Sequence, residues 1–537
     1  MTFLISDVGR DIISGAGLGT ITGYTDTTHV TVEITQAFAA NTVEVGQWTI
    51  LGSPNNTCTP SASSPAGATI TLTLTLAGWR AEDVGKFVSI NGGLCRITGF
   101  TSTQVVDAVI VRVLTGVVAA PPLAWKLEGS VWGGVNGYPR CGTIYGQRLY
   151  VAGSPGFPQT FWGSTIGEYL DFMLGTADDE AISYALASDQ LDPILHLAQA
   201  GGLVALTYGG EYSIRGGNEK PITPTNIQVK KQSNYGSSKV PPKRVAAELF
   251  FNQRAGRKIR ALAPDRFDSE QYGASDISIL SEHVTRSGVT AMAYQAEPVS
   301  VLHVPCADGV MATLTADQEQ GVFGWARQIT NGLIESVCAV PVADGDRVFA
   351  VVRRVINGVP VRYIEMMDPE LHTDSALTGS NPAGATTWTG LSHLEGRTVN
   401  VKADGVALSD RVVVGGQITI ERLAYNIEIG LNYSSKVVTL TPELPGERGS
   451  SQGANLSINR VIVRLLDTIG CTINYQIVPF KQLGLEVLDR SPQPFTGDKE
   501  AGNLGWETGK AVTVIQQNKP YPFHLLAVIA EVTVNHG

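Results

Sequence analysis

The sequence predicts an all-β fold: a β-propeller core with two small N-terminal β-barrel-like repeats and a C-terminal β platform domain. Three observations carry this expectation. Strand-forming runs rich in Val, Thr and Ile recur along the chain, as in ITLTLTL at 70–76 and again at 109–113 and 348–355. Gly (59) and Pro (27) punctuate those runs at the density expected of many tight turns. Hairpin-like units then follow one another at a nearly constant spacing, the pattern of repeated blades. At 537 residues the chain exceeds a single typical core, so two to four domains are expected.

The N-terminal elements are set by an internal repeat. Asp7, Val8, Gly9, Gly17, Leu18, Ile21, Thr22, Gly23 and Tyr24 recur as Asp83, Val84, Gly85, Gly93, Leu94, Ile97, Thr98, Gly99 and Phe100, at a constant offset of 76 residues. Farther on, Trp48, Gly52 and Ser53 match Trp125, Gly129 and Ser130 after one inserted residue. Each copy alternates short β runs with Gly turns, so each reads as a small β-module, at 1–53 and 84–130. The run PNNTCTPSASSPAGA opens the segment 54–83, which reads as a linker and connecting strand.

From 131 to 385 the texture changes to longer strand pairs. Units open at 149, 203, 249, 301 and 348, a spacing of roughly 50 residues that suits propeller blades. Turns are expected at Gly209 and Gly210, at Ala255 and Gly256, at Asp308 and Gly309, and at Asn357 and Gly358. The last two dipeptides suit type I′ hairpins, because both central residues of that turn need positive φ. A series of β-sandwiches is the competing architecture. Within the first unit, Trp162, Tyr169 and Phe172 are expected to pack between blades rather than to stack on a ligand. The run Pro382, Ala383, Gly384, Ala385 marks a break, and 386–537 reads as a C-terminal β-domain with strands in 399–410, 418–433 and 458–468.

Composition excludes several functions. The net charge of −10 disfavours a protein that grips nucleic acid by neutralising phosphates, although a channel through which DNA slides needs no basic wall. The six cysteines (Cys58, Cys95, Cys141, Cys306, Cys338, Cys471) show no CxxC pair and are too sparse for a disulfide scaffold. Residues 1–11 lack the basic and long apolar regions of a signal peptide, and no run of about 18 apolar residues suggests a spanning helix. Folding in a cytoplasm is the expectation.

Motifs with possible chemistry are weak. The glycine run at 14–19 lacks the strand–helix frame of a phosphate loop and reads as a β-turn. Asp178, Asp179 and Glu180 form a dense carboxylate cluster. A glycosidase needs two facing carboxylates, and neither Glu297 nor Glu319 is favoured as a partner by spacing. The eight histidines (His29, His196, His283, His303, His372, His393, His524, His536) form no metal-ligand pattern. No catalytic, cofactor-binding or metal-binding residue is assigned, and the chain is expected not to be an enzyme. Basic residues cluster at Lys230 and Lys231, at 239–244 and at 254–260, where phosphate contact or docking to an acidic subunit competes with ordinary solvated turn charge. The polar, turn-rich loop at 221–242 is of the kind that carries partner contacts.

Several long blocks in consistent order resemble the tail nozzle proteins (tail tubular protein B) of short-tailed bacteriophages. They are RLYVAGSPGFPQTFWGSTIGEYLDF (148–172) with DDEAISYALAS (178–188), TPTNIQVKKQSNYGSSKVPP (223–242), DISILSEHV (276–284), MAYQAEPVSVLHV (292–304), VVRRVINGVPVRYIE (351–365) and ADGVALSDRVVVGGQITI (403–420). The resemblance implies a structural virion protein, folded in the host cytoplasm and assembled as a homohexameric ring. Such a ring retains genomic double-stranded DNA and then ejects it, without sequence-specific binding. Its implied partners are an adaptor ring (tail tubular protein A), tail fibres or spikes, and the host envelope at ejection. The small N-terminal modules resemble a β-domain first described in ubiquitin-activating enzymes, a likeness of shape. Nozzle proteins usually carry a segment ahead of these modules, so a separately encoded N-terminal segment is a further expected partner. The alternative reading is a propeller-based glycan hydrolase or glycan-binding tail component.

Overall fold

The computed structural model describes residues 2–535 except 15–16, 39, 44–47, 130, 134–135, 176, 189, 218–219, 266–270, 318–319, 445–449, 452–453, 481–490, 503–505 and 509–510. Two compact units divide the chain, one of residues 1–255 and 260–275, the other of 256–259 and 276–537. Among the described residues the single α-helix is the four-residue Glu282–Thr285, and every sheet is antiparallel, so the all-β expectation holds.

In the first unit the repeat is visible atom by atom. Short 3-10 turns occupy Ile5–Asp7 and Ala81–Asp83. Each ends in an acid that accepts from the main chain three residues back, Leu4 N to Asp7 at 2.8 Å and Arg80 N to Asp83 at 2.9 Å. Gly9 and Gly85 follow with φ of 89° and 93°, and their N–H groups donate to Ile21 O and Ile97 O, both at 2.8 Å. A β-carbon is disfavoured at that φ, which is why both copies have glycine there. The first module is a four-stranded sheet in the order Val30–Gln36, Gly17–Tyr24, Asp11–Ser14, Thr49–Leu51. The second is six-stranded, in the order Lys126–Glu128, Phe87–Ile90, Gly93–Phe100, Val105–Arg112, Thr69–Leu74, Cys58–Pro60. The segment 54–83 is therefore more than a linker: it supplies two strands of the second module, and Cys58, Leu72 and Trp79 are buried in its core. The alternation of Ile70, Leu72 and Leu74 on the inner face explains the pairing.

Blade-type sheets follow, each a meander of neighbouring strands. The first joins Cys141–Tyr145, Arg148–Ala152, Thr160–Gly163 and Ile182–Ala185; the second Ile194–Gln199, Leu203–Thr207, Glu211–Arg215 and Gln228–Ser233; the third Lys243–Val245, Glu248–Asn252, Ile259–Pro264 and Tyr272–Asp276. Tyr150, Phe161, Leu197, Leu203 and Ile214 form one apolar cluster across the first two blades. Trp162 is buried and meets Trp132 edge-on at 5.6 Å, and Phe172 meets the same Trp132 at 4.9 Å, whereas Tyr169 is exposed.

In the second unit a fourth blade joins Ala293–Gln295, Val301–Pro305, Met311–Asp317 and Val322–Gln328, and a fifth has three strands, Leu333–Val342, Gly345–Ile356 and Val359–Met366. Asn357 and Gly358 take φ of 49° and 79°, the type I′ hairpin expected of that dipeptide. At Asp308 and Gly309 the expected type I′ turn is replaced. Only Gly309 has positive φ (82°), closing a turn in which its N–H donates to Cys306 O at 2.9 Å. The extra residue makes this a longer loop, with Pro305 opposite Met311.

The expected break at 382–385 is also corrected. Strand Asp374–Thr389 runs through it, paired with Gln417–Leu431, and the register slips between Ser380 and Ala385. Pro382 has no N–H to give the ladder and Gly384 takes φ of 75°, so the run is an irregularity inside one strand and not a domain boundary. Thr398–Ala403, Val406–Ala407 and Arg411–Val412 complete that five-stranded sheet over a core of Leu391, Val399, Val401 and Ile429. The last sheet is built on Asn455–Thr468, which pairs with Phe495–Gly502, Trp506–Thr508 and His524–Asn535.

Candidate anion-binding cleft

The first strands of the first three blades frame an open cleft of about 790 Å³ within the first unit. Arg140 enters from the residue before Cys141–Tyr145, its backbone fixed by donation to Ala152 O at 2.9 Å. His196 lies on Ile194–Gln199, where a register shift between Ile194 and His196 leaves Leu195 as the extra residue of a bulge. Bulges of this kind re-aim the side chains beside them. Lys239, Pro241, Pro242 and Arg244 come from the run into the third blade. That run is held by Ser237 N donating to Thr207 O at 2.8 Å and Ser238 N to Asn252 O at 2.9 Å.

The charge of the cleft is one-signed. None of its lining residues is acidic. Arg140, Lys239 and Arg244 are exposed and make no ion pair among the described residues; Arg244 donates only to Ala246 O, at 3.2 Å. His196 shares a hydrogen bond between Nε2 and Ser238 O at 3.0 Å. Burial lowers its pKa and the Arg140 charge adds to this, against the opposing effect of the Ser238 carbonyl. The positive character therefore comes from Arg and Lys, not from imidazolium. Burial pushes the Cys141 thiol up to about 11, so it is no nucleophile at neutral pH. Apolar surface from Leu195, Leu197 and Leu249 adjoins the charges.

The structure separates the other residues singled out from sequence. Arg148 is buried under the loop of Asp178, Asp179 and Glu180, and donates to main-chain carbonyls: Ser164 O and Glu180 O at 2.6 Å and Asp178 O at 2.5 Å. The Glu180 carboxylate accepts from Ala177 N at 2.9 Å, a loop-closing bond. Glu297 is exposed in the second unit, and Glu319 lies outside the described residues, as do Gly15, Ala16 and His536. Among the described residues no group of His, Cys, Asp and Glu is arranged to hold a metal. All six cysteines are free thiols. Among the described residues no helix is long and apolar enough to cross a membrane.

Of the basic clusters, Lys231 lies over Tyr212 and 3.9 Å from Asp192, Arg254 lies over Tyr208, Arg260 over Tyr235, and Lys258 pairs with Asp276. Only the 239–244 run contributes to the cleft. Arg140 and His196 were not singled out as a pair, because nothing in sequence joins positions that far apart.

No protein-family model matches the chain, and no curated protein matches it. Solved structures do. The Cps50 (Swd1) β-propeller domain of Myceliophteria thermophila is similar over 56% of this chain and 89% of its own, at 11% identity and a TM-score of 0.27. A Trypanosoma rangeli sialidase is similar over 87% and 92%, at 11% identity and a TM-score of 0.26. The Bombyx mori GH32 β-fructofuranosidase BmSUC1 is similar over 71% and 90%, at 8% identity and a TM-score of 0.20. The propeller class thus rests on the meander sheets above, and these likenesses assign no activity.

The expectation that the chain is not an enzyme is corrected on the fold itself: blade-type sheets carry enzymes as well as binding and structural proteins, so this architecture gives no ground for excluding catalysis.

Proposed function

We propose that this chain is a nozzle subunit in the tail of a short-tailed bacteriophage, part of a six-membered ring that holds packaged double-stranded DNA and then passes it into the host. The observation that carries the reading is the run of sequence blocks resembling that family, in consistent order from 148 to 420. The blocks fall on defined pieces of sheet. The block at 148–172 covers two strands of the first blade, that at 351–365 is the Asn357–Gly358 hairpin, and that at 403–420 spans the hairpin around Asp404 and Gly405. In this reading an adaptor ring, fibres or spikes and a separately encoded N-terminal segment are its neighbours.

Electron microscopy of the assembled tail tests the proposal. Six-fold rings with an axial hole wide enough for duplex DNA are expected, with this chain present in virion tails by mass spectrometry. A chain absent from virions and monomeric at micromolar concentration overturns it.

A second reading, a propeller that binds or cleaves glycans, is favoured by the open cationic cleft. Its cleavage form predicts polysaccharide depolymerisation by the purified chain, lost in one of Asp178→Asn, Asp179→Asn or Glu180→Gln. Depolymerisation retained in all three variants removes those carboxylates from the chemistry.

A further inference from the structure

We propose that the cleft at Arg140, His196, Lys239 and Arg244 binds a saccharide carrying two acidic groups. The inference rests on the second reading's cleft and not on ring assembly, since every lining residue belongs to one unit of one chain.

Size excludes the extremes. At about 790 Å³ the cleft falls in the range of small-molecule sites, far larger than one phosphate needs and too small for a duplex. Charge then selects the ligand. Arg140 is carried by the first blade and Lys239 and Arg244 by the run into the third, so positive charge stands on two separate segments with no acidic residue between them in the lining. A ligand with two acidic groups offers one to each segment. A guanidinium binds carboxylate or phosphate through paired N–H donors, and charge-assisted bonds of this sort are about twice as strong as neutral ones.

The remaining wall chooses a sugar over a bare polyanion. Pro241 and Pro242 present rigid apolar surface of the kind that covers the C–H face of a pyranose, while Thr143 and Gln199 add neutral polar groups for hydroxyls. Gln199 donates to Ile144 O, which orients its amide and leaves the carbonyl oxygen as an acceptor. Because the cations are exposed and unpaired, binding requires no internal ion pair to be broken.

Isothermal titration of the full-length chain at low salt tests this with five probes: tetragalacturonate, glucose 1,6-bisphosphate, maltotetraose, pyrophosphate and a short DNA duplex. At least one of the two acidic saccharides binds, and which one it is distinguishes a carboxylate glycan from a sugar phosphate. Arg140→Gln alone, and Lys239→Gln with Arg244→Gln, each weaken that binding about tenfold or more. All three side chains are exposed, so the variants keep the wild-type melting temperature, and Lys126→Gln outside the cleft leaves binding unchanged. Equal binding of maltotetraose, pyrophosphate as tight as either saccharide, binding of the duplex alone, or variants that bind like wild type would each overturn the proposal.

Discussion

Arg80, beside the capping turn of the second N-terminal module, donates from Nη2 to the Asp7 carboxylate of the first, where Asp7 is fully buried. Arg10 takes the other carboxylate oxygen at 3.0 Å and also donates to Ile50 O at 3.1 Å. One carboxylate thus neutralises two buried guanidinium groups drawn from both copies of the repeat. The equivalent acid, Asp83, faces a single lysine, Lys86, at 2.8 Å, and that lysine is 15% exposed. Duplication has therefore produced two unequal acids: Asp7 pairs directly with two guanidinium groups, and Asp83 pairs with one lysine while its charge also reaches Arg10.

Removing the shared centre is costly. Asp7→Asn removes the carboxylate that pairs with two buried guanidinium groups, leaving Arg10 only the more distant charge of Asp83, and is expected to destabilise the modules by about 3–5 kcal/mol. Asp83→Asn, whose partner can turn to water, should cost about half as much or less. Chemical denaturation of the two variants side by side checks the ranking, and an Asp83 variant that proves the weaker protein contradicts it.

Arg148 offers a different test. Its guanidinium spans four main-chain carbonyls, of Ser164, Asp178, Asp179 and Glu180, and so fixes the loop that bears the carboxylates. An ammonium reaches fewer acceptors from one point, so Arg148→Lys should lose about 2 kcal/mol and Arg148→Met more, since the carbonyls are then left unsatisfied. Limited proteolysis should open first within 165–180. A methionine variant that melts like wild type and resists cleavage there shows that the carbonyls find other donors.

The blades were legible in sequence by period and displaced in phase. The openings read at 149, 203, 249, 301 and 348 fall within or beside the second strand of each blade, Arg148–Ala152, Leu203–Thr207, Glu248–Asn252, Val301–Pro305 and Gly345–Ile356. Leu203–Thr207, Glu248–Asn252 and Val301–Pro305 are buried at nearly every position, and Arg148–Ala152 and Gly345–Ile356 bury alternate residues, so all five carry apolar runs that register in sequence. The first strands announce themselves poorly: Lys243–Val245 and Ala293–Gln295 are three residues long, too short for an alternation to register. The cleft is framed by these first strands, so the same weakness hid the candidate site. The repeat was legible because glycines at positive φ and capping acids are fixed by backbone geometry. Strand Asp374–Thr389 was misread as a boundary because Pro and Gly look alike in a linker and in a bulge.

Gly236 tests how tightly the run into the third blade is held. It takes φ of 70°, and a β-carbon placed there would stand 2.1 Å from Tyr208 O. Its own carbonyl accepts from Arg254 N at 2.9 Å, so the peptide joins the second blade to the third. Neither the φ nor the contact tolerates a methyl group, and Gly236→Ala is expected to cost more than about 2 kcal/mol. Gly256, at φ of 79° with open space around its β-position, is the control and should cost only about 1 kcal/mol. Equal melting temperatures for the two alanine variants would mean that the backbone at 236 moves aside freely.

His303 predicts a pH dependence. It lies on Val301–Pro305 in the fourth blade with 3% of its surface exposed, Nε2 3.1 Å from Gln295 Oε1 and Nδ1 without a hydrogen-bond partner. Burial disfavours the imidazolium and lowers the pKa to about 4. In the unfolded chain the ring protonates near pH 6.5, so between that value and about 4 the unfolded state binds a proton that the folded state does not. The stability associated with a neutral His303 is therefore complete above pH 6.5, declines as the pH falls, and reaches a total loss of about 3 kcal/mol near pH 4. His303→Gln keeps a polar group opposite Gln295 and takes up no proton. Unfolding free energies of wild type and variant, measured by urea denaturation from pH 7.5 to 4, should differ by a constant amount above pH 6.5, and below it the wild type should lose stability more steeply. Parallel curves across the whole range would show that the ring is solvated or finds an acceptor when charged.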